Sequence, residues 1–314
     1  MSWQDNPWAG VFPATLCPFH EDESIDEEGL RAYIDELARV PGVVGLTCNG
    51  HTGEIMALRH RERAQVTRIV SETVNGRCKV ISGVACEGSL EAVDDALAAK
   101  EAGADGILLM PPHEWLRFGR SSKTAIGYFE DVAAADISIV VHQYPAWTKA
   151  SYSLEEMLEL VKIPQVKVIK MGTRDMARWR YDYDKLKEAA PDKPIITCHD
   201  EFLLATLLEG ADGCLVGFAG FVPELIVEMT HAALAGDLAG ARAAQKKVEP
   251  LSRIVYSFGE PSGSAHQRMK CARWLLGKFP SRKMRRPIRP LPDADVRKIR
   301  ADLEAIGLKC VHEV

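Results

Sequence analysis

The chain has 314 residues, 46% hydrophobic and 26% charged, a composition that excludes a disordered segment and supplies a sizeable core. With 39 Lys and Arg against 44 Asp and Glu the net charge is −5, so no global basic field exists and neither nucleic acid nor an anionic membrane is an expected partner. The length suits either two domains of about 150 residues or one (β/α)8 barrel of about 250 with an appendage of about 60.

The opening MSWQDNPWAG lacks a basic segment followed by an apolar one, so a secretory signal is not expected. No window approaches the ~18 uninterrupted apolar residues of a membrane span. The eight cysteines (Cys17, Cys48, Cys78, Cys86, Cys198, Cys214, Cys271, Cys310) contain no C-x-x-C pair that would suggest zinc or redox chemistry. These features predict a reduced, cytoplasmic protein.

In chain order, short apolar runs predict strands over 11–16, 43–48, 80–82, 106–110, 137–142, 166–170, 195–198 and 213–217. Helical patterns lie between them. Residues 89–102, for example, start with Ser89 as a predicted N-cap, carry Val93, Leu97 and Lys100 on one stripe, and stop at Gly103. A quasi-repeat, ALAAKEAGADGILL at 96–109 and ATLLEGADGCLV at 205–216, ends a helix at glycine and opens a buried strand with GADG. Eight equal βα units predict a parallel sheet covered on both faces, and favour an α/β fold closed as a TIM barrel over an open sheet. No G-x-G-x-x-G follows the first strand, which removes the dinucleotide fingerprint.

Helices alone are predicted beyond Pro223, at 223–235, 238–258, 264–276 and 293–306. The expected organisation is a barrel over 1–235 and a C-terminal helical domain over 236–314. The basic, proline-punctuated PSRKMRRPIRPLP at 280–292 reads either as a solvated linker or as an anion-binding patch, the linker being the plainer expectation.

Barrel chemistry sits at the C-terminal ends of the strands. There the chain carries NGHTGE (49–54), PPHEW (111–115), HQYPAW (142–147), the end of VKVIK (166–170) and CHDE (198–201). Val166, Val168 and Lys170 share one face by the period of two. A lysine desolvated near the mouth of a barrel has a lowered pKa, and its neutral amine can form a Schiff base; the alternative is a lysine that snorkels or is paired. Lys79 is the contrast, since it precedes its strand and falls at the opposite end. The GHTGE turn offers backbone N–H groups and the Thr52 hydroxyl to a small carboxylate, although such turns also serve as connectors. Glu54 reads chiefly as a structural carboxylate that ties the loop down.

ATLCPF (14–19), GHTGE (50–54), Pro145 three residues after His142, IKMGT (169–173), and Asp200-Glu201 followed by GADG make the chain resemble the dihydrodipicolinate synthase and N-acetylneuraminate lyase superfamily. The resemblance runs in order from about residue 9 to residue 230. It implies a (β/α)8 barrel with a C-terminal helical domain, a class I aldolase, and most often a homotetramer. It further implies that Lys170 attacks the ketone of pyruvate or another 2-keto acid while Thr52 and Gly53 hold the carboxylate.

The departures from the family pattern matter as much. His142 stands where a proton-shuttling Tyr is usual, His51 where a Thr or Ser is usual, and His113 at the nearest match to a Tyr that a neighbouring subunit donates in the synthase branch. Three readings stay open. In the first, His142 is the general acid/base, with an imidazole better poised near neutrality than a phenol, and His51, His113 or Tyr144 relays protons. In the second, the three histidines hold a metal. In the third, they line a pocket without catalysis. Trp147 replaces the Arg with which the synthase branch binds a second carboxylate, so lysine biosynthesis is disfavoured. Asp200 and Glu201 match the pair with which the neuraminate lyase branch holds sugar hydroxyls, whereas Trp147 would equally suit a flat or apolar tail. The expectation is a Schiff-base lyase for a sugar-acid-derived 2-keto acid with no cofactor, against a non-catalytic keto-acid-binding protein on the same barrel.

Overall fold

The computed structural model describes residues 5–145, 147–256 and 264–314. Eight strands form one parallel sheet: β1 (Gly10–Pro13), β2 (Gly45–Cys48), β3 (Lys79–Val84), β4 (Gly106–Leu109), β5 (Ser138–His142), β6 (Val166–Met171), β7 (Ile195–Thr197) and β8 (Gly213–Val216). They pair in the order β1-β8-β7-β6-β5-β4-β3-β2. Parallel bridges from Val11 to Val43 and from Ala14 to Thr47 bring β1 against β2 and close the ring. Every predicted strand is present.

The helices are α1 (Glu27–Ala38), α2 (His60–Val74), α3 (Ser89–Glu101), α4 (His113–Phe118), α5 (Ser122–Ala133), α6 (Leu154–Leu160), α7 (Met176–Ala189), α8 (Leu203–Leu208), α9 (Gly217–Phe221), α10 (Pro223–Leu234), α11 (Leu238–Tyr256), α12 (Ala265–Leu275) and α13 (Asp293–Ala305). The last two residues of the helix predicted at 238–258 lie outside the described residues.

Alternation along the strands sorts side chains into two layers. Phe12, Ile81, Leu108, Met110, Val140, Val168, Ile196 and Leu215 fill the barrel, while Val11, Leu109, Val141, Ile169 and Cys214 pack outward against helices. One expected neighbour changes layer. The register of β5 and β6 shifts between Ile139 and Val140, so Val166 belongs to the outer cluster although Val168 lies inside. The irregularity leaves Lys170 in step with Val168.

Two local expectations are corrected. Ser89 is the first residue of α3 and Gly88 is its N-cap, with no side-chain cap. The buried face of α3 is Ala92, Asp95, Ala96 and Ala99, not the stripe of Val93, Leu97 and Lys100. Alanines let α3 approach β3, β4 and its flanking helices closely, and Leu97 is left exposed.

The C-terminal helices continue the barrel's outer core. α11 packs on α10 and α8, and α12 on α9 and α11, so that Val248, Leu275, Ile299 and Leu303 join the same apolar cluster as the barrel strands. The basic stretch 280–292 is neither a solvated linker nor an open anion patch at its centre. Met284 and Arg285 are buried, and the Arg285 guanidinium is bonded to Glu62 at 2.7 and 2.9 Å.

Candidate active site

β5 and β6 are neighbours, and their register sets His142 directly beside Lys170. Both belong to the inward-facing set at the C-terminal mouth, one step beyond Val140 and Val168. Lys170 Nζ lies 3.3 Å from His142 Nε2, and both residues are buried. Burial lowers the lysine pKa from its ordinary value, and Cys198 and Asp200 oppose the shift without reversing it. His142 is driven well below the ordinary histidine range by burial first and by Lys170 second. That departs from the expectation of an imidazole poised near neutrality: burial favours the uncharged form of His142, and its Nδ1 is buried without a partner.

His51, His113 and Tyr144 join this pair. The Tyr144 hydroxyl lies 3.0 Å from His51 Nε2, and the His142 and Tyr144 rings meet edge to face at 4.8 Å. β5 ends at His142, yet Tyr144 beyond it still reaches both imidazoles. Its phenol is pushed up by burial. The His51 ring is 5.8 Å from that of His142 and 6.5 Å from that of His113. His51 stays exposed on one side, while enclosure on the other, with Lys170, His113 and His266, lowers its pKa to about 3. Among the described residues no group of three or more His, Cys, Asp or Glu side chains is arranged to hold a metal ion, so these imidazoles do not converge as a three-His site would require.

Glycine makes the crossing of the two strand ends possible. A Cβ at Gly172 would stand 2.1 Å from the Gln143 carbonyl oxygen. The Gly172 N–H donates instead to Gln143 Oε1 at 2.8 Å, and Gln143 Nε2 donates to Ser151 Oγ at 3.2 Å. The segments after His142 and Lys170 are thus tied together.

The GHTGE turn follows β2. Its Gly53 N–H donates to the Gly50 carbonyl at 3.1 Å and the Glu54 N–H to the His51 carbonyl at 3.0 Å. The Gly53 amide is therefore spent within the turn, which corrects its expected place in the carboxylate cradle. The amides of His51 and Thr52 donate to no group among the described residues, and the Thr52 side chain is half-buried. Glu54 is buried and bonds Lys270 of α12, in agreement with its reading as a structural carboxylate.

Asp200 and Glu201 have parted roles. Asp200 accepts from the Phe218 N–H at 2.9 Å and the Tyr256 hydroxyl at 2.6 Å, so both oxygens serve the fold rather than standing free for a sugar. Burial raises its pKa to about 6 against those two hydrogen bonds. Glu201 Oε1 lies 3.4 Å from Arg174, and its Oε2 is buried without a partner. The Arg174 guanidinium covers the Trp147 ring at 5.6 Å, and Trp147 is otherwise 66% exposed. The segments that follow three adjacent strands, β5, β6 and β7, therefore meet at this rim. Sequence reading missed Arg174, although its place four residues beyond Lys170 was a usable signal. It also missed Tyr256, 56 residues from Asp200, for which no local signal exists.

A parallel eight-stranded barrel with a buried lysine and its imidazole neighbour at the mouth defines a class of barrel enzyme, and comparison with known proteins identifies it. The Dihydrodipicolinate synthetase family model matches residues 7–306, and the chain belongs to that family, whose members are lyases. An uncharacterized DapA-like lyase of Rhizobium meliloti is 30% identical over 306 residues, spanning 97% of this chain and 98% of the relative. N-acetylneuraminate lyase of Rhizobium meliloti (strain 1021) is 29% identical and covers 93% of each chain. 4-Hydroxy-tetrahydrodipicolinate synthase of Laribacter hongkongensis is also 29% identical, with 95% of this chain and 99% of the relative covered. Among solved structures, YagE of E. coli K12 in complex with pyruvate superposes with a TM-score of 0.87 at 26% identity, covering 96% of this chain and 99% of the other.

Proposed function

We propose that this protein is a Schiff-base lyase for a 2-keto acid, with Lys170 as nucleophile and His142 as its proton partner. The observation that carries the reading is the 3.3 Å contact between Lys170 Nζ and His142 Nε2 in a buried layer where the lysine pKa is lowered. The free amine attacks the keto carbon and gives up one of its two hydrogens as a proton; the carbonyl oxygen takes that proton and a second one from solvent and leaves as water, and the nitrogen, keeping its other hydrogen, holds the carbon as an iminium. Neutral His142 accepts a proton from the lysine nitrogen and returns it to the departing oxygen. The electron-poor iminium then stabilises the carbanion left when a bond at the neighbouring carbon breaks.

The free amides of His51 and Thr52 with the Thr52 hydroxyl suit the keto acid's carboxylate. Tyr144 and His51, joined at 3.0 Å, extend the proton path from His142 towards solvent. At the rim, Arg174 and Glu201 neutralise each other beside buried Asp200, so a second carboxylate gains no net attraction there. The unpartnered Glu201 oxygen, the guanidinium and the Trp147 face favour an uncharged, hydroxylated tail. That argues for a sugar-acid-derived substrate and against lysine biosynthesis.

A panel of 2-keto acids with hydroxylated, dicarboxylic and apolar tails, followed by product mass, tests the reading. Cleavage or dehydration of the hydroxylated members, lost in Lys170→Met, supports it. Saturable binding with no change in ligand mass makes the protein a keto-acid-binding module instead.

A further inference from the structure

The turn 49–54 is anchored at both ends by side chains. At its start Asn49, with φ of 53°, spreads its Nδ2 over the Arg63 carbonyl at 2.9 Å and over Thr67 Oγ1 and Ser82 Oγ at 3.0 Å each. At its end Glu54, with φ of 60°, occupies the left-handed region, which a non-glycine residue keeps only when its surroundings hold it there.

What holds Glu54 comes from the far end of the chain. Its carboxylate takes Lys270 Nζ of α12 on one oxygen and the Arg285 backbone N–H, at 3.0 Å, on the other. The Lys270 side chain is fully buried, donates also to the Lys283 carbonyl at 2.9 Å, and lies over the Phe19 ring at 4.8 Å. The Arg285 guanidinium covers the same ring at 4.7 Å and bonds Glu62 and the Ala57 carbonyl, the latter at 3.0 Å. Between the two anchors the backbone of the turn has, among the described residues, only its short internal bonds, with the His51 ring reaching Tyr144, so the amides of His51 and Thr52 point where those anchors aim them.

We propose that Lys270 and Arg285 are positioning residues for the keto-acid site: through Glu54 the C-terminal segment sets the direction of the carboxylate-binding amides and of the His51 ring against Tyr144. The proposal rests on the reading of this turn as the keto-acid cradle. A cluster that only stabilised the fold would lower thermal stability without altering ligand affinity in the folded protein.

Two variants separate the roles. Lys270→Met leaves Glu54 buried and short of its cation, and the double variant Glu54→Gln/Lys270→Met removes that stranded charge. In both, the dissociation constant for pyruvate by calorimetry should rise at least tenfold, KM should rise with it, and kcat should move less than KM. In the double variant the melting temperature should recover towards that of the unaltered protein while the affinity does not. An affinity within twofold of the unaltered protein, or one that returns together with the melting temperature, overturns the proposal. If Lys270→Met does not fold, the double variant decides alone. Unaltered protein that binds no pyruvate overturns the proposal directly. Unaltered protein that binds pyruvate without modification of Lys170 overturns the Schiff-base reading, and the affinity comparison still decides this one.

Discussion

At the scale of single residues, the proposed chemistry rests on burial, which disfavours the charged forms of two neighbouring bases. Lys170 and His142 are both buried, which lowers the pKa of each, and Lys170 further disfavours a proton on His142. The amine should therefore titrate below its ordinary 10.5, and the rate of imine formation should rise with pH and level off before that value. Replacing His142 with Phe keeps an aromatic wall but removes the proposed proton carrier. Turnover should fall on the order of 10²–10⁴-fold while equilibrium keto-acid binding changes far less. Steady-state kinetics against calorimetry checks this, and an equal loss in both would make His142 a binding residue. The lysine was legible from the strand period and its place at a strand end. The depth of the His142 shift was not, because it depends on the cross-strand partner and on burial.

Among elements, the same division between local and distant information recurs. Eight strands and the long helices follow from runs and periods within a few residues, so they were readable. The β5/β6 irregularity, the alanine face of α3 and the clasp of Asp200 by Tyr256 depend on what packs from elsewhere. Gly172 shows the consequence for the site. Alanine there would drive a Cβ to 2.1 Å from the Gln143 carbonyl oxygen, which is backbone and cannot swing aside. Gly172→Ala should destabilise the protein by ~1–3 kcal/mol and separate Lys170 from His142, lowering turnover out of proportion to stability. Thermal melts paired with kinetics measure both, and a fully active, stable variant would show that the strand ends are not tightly tied.

For the whole molecule, burial of histidines makes stability depend on pH. His142 and His199 are both buried; burial lowers His199 to about 4 and holds His142 well below the ordinary 6.5. Unfolding exposes both to protonation, so the stability they give is full above about 6.5 and is lost as pH falls below it. Asp200 has the opposite sign. Its pKa is raised to about 6, so its burial becomes less costly as pH falls through that value towards 3.8. His51, lowered to about 3, acts in the same sense, so the histidines outweigh the Asp200 carboxylate and the melting temperature should decline between pH 7 and pH 5. His199→Gln, which can retain the bond to the Thr173 carbonyl seen at 2.7 Å, should flatten that decline; an unchanged slope would remove His199 from the explanation. At this scale the barrel and helical tail were legible, whereas the burial of Arg285 was not, because a basic, proline-rich run looks solvated until its carboxylate partners are brought to it. No helix among the described residues is long and apolar enough to cross a membrane.

The most direct test is borohydride reduction in the presence of pyruvate, followed by peptide mass mapping. The expected result is a stable adduct of one reduced pyruvate confined to the peptide bearing Lys170, absent from Lys170→Met. No adduct at any pH with pyruvate and several longer keto acids, or one located on another lysine, would contradict the assignment of Lys170 as the nucleophile.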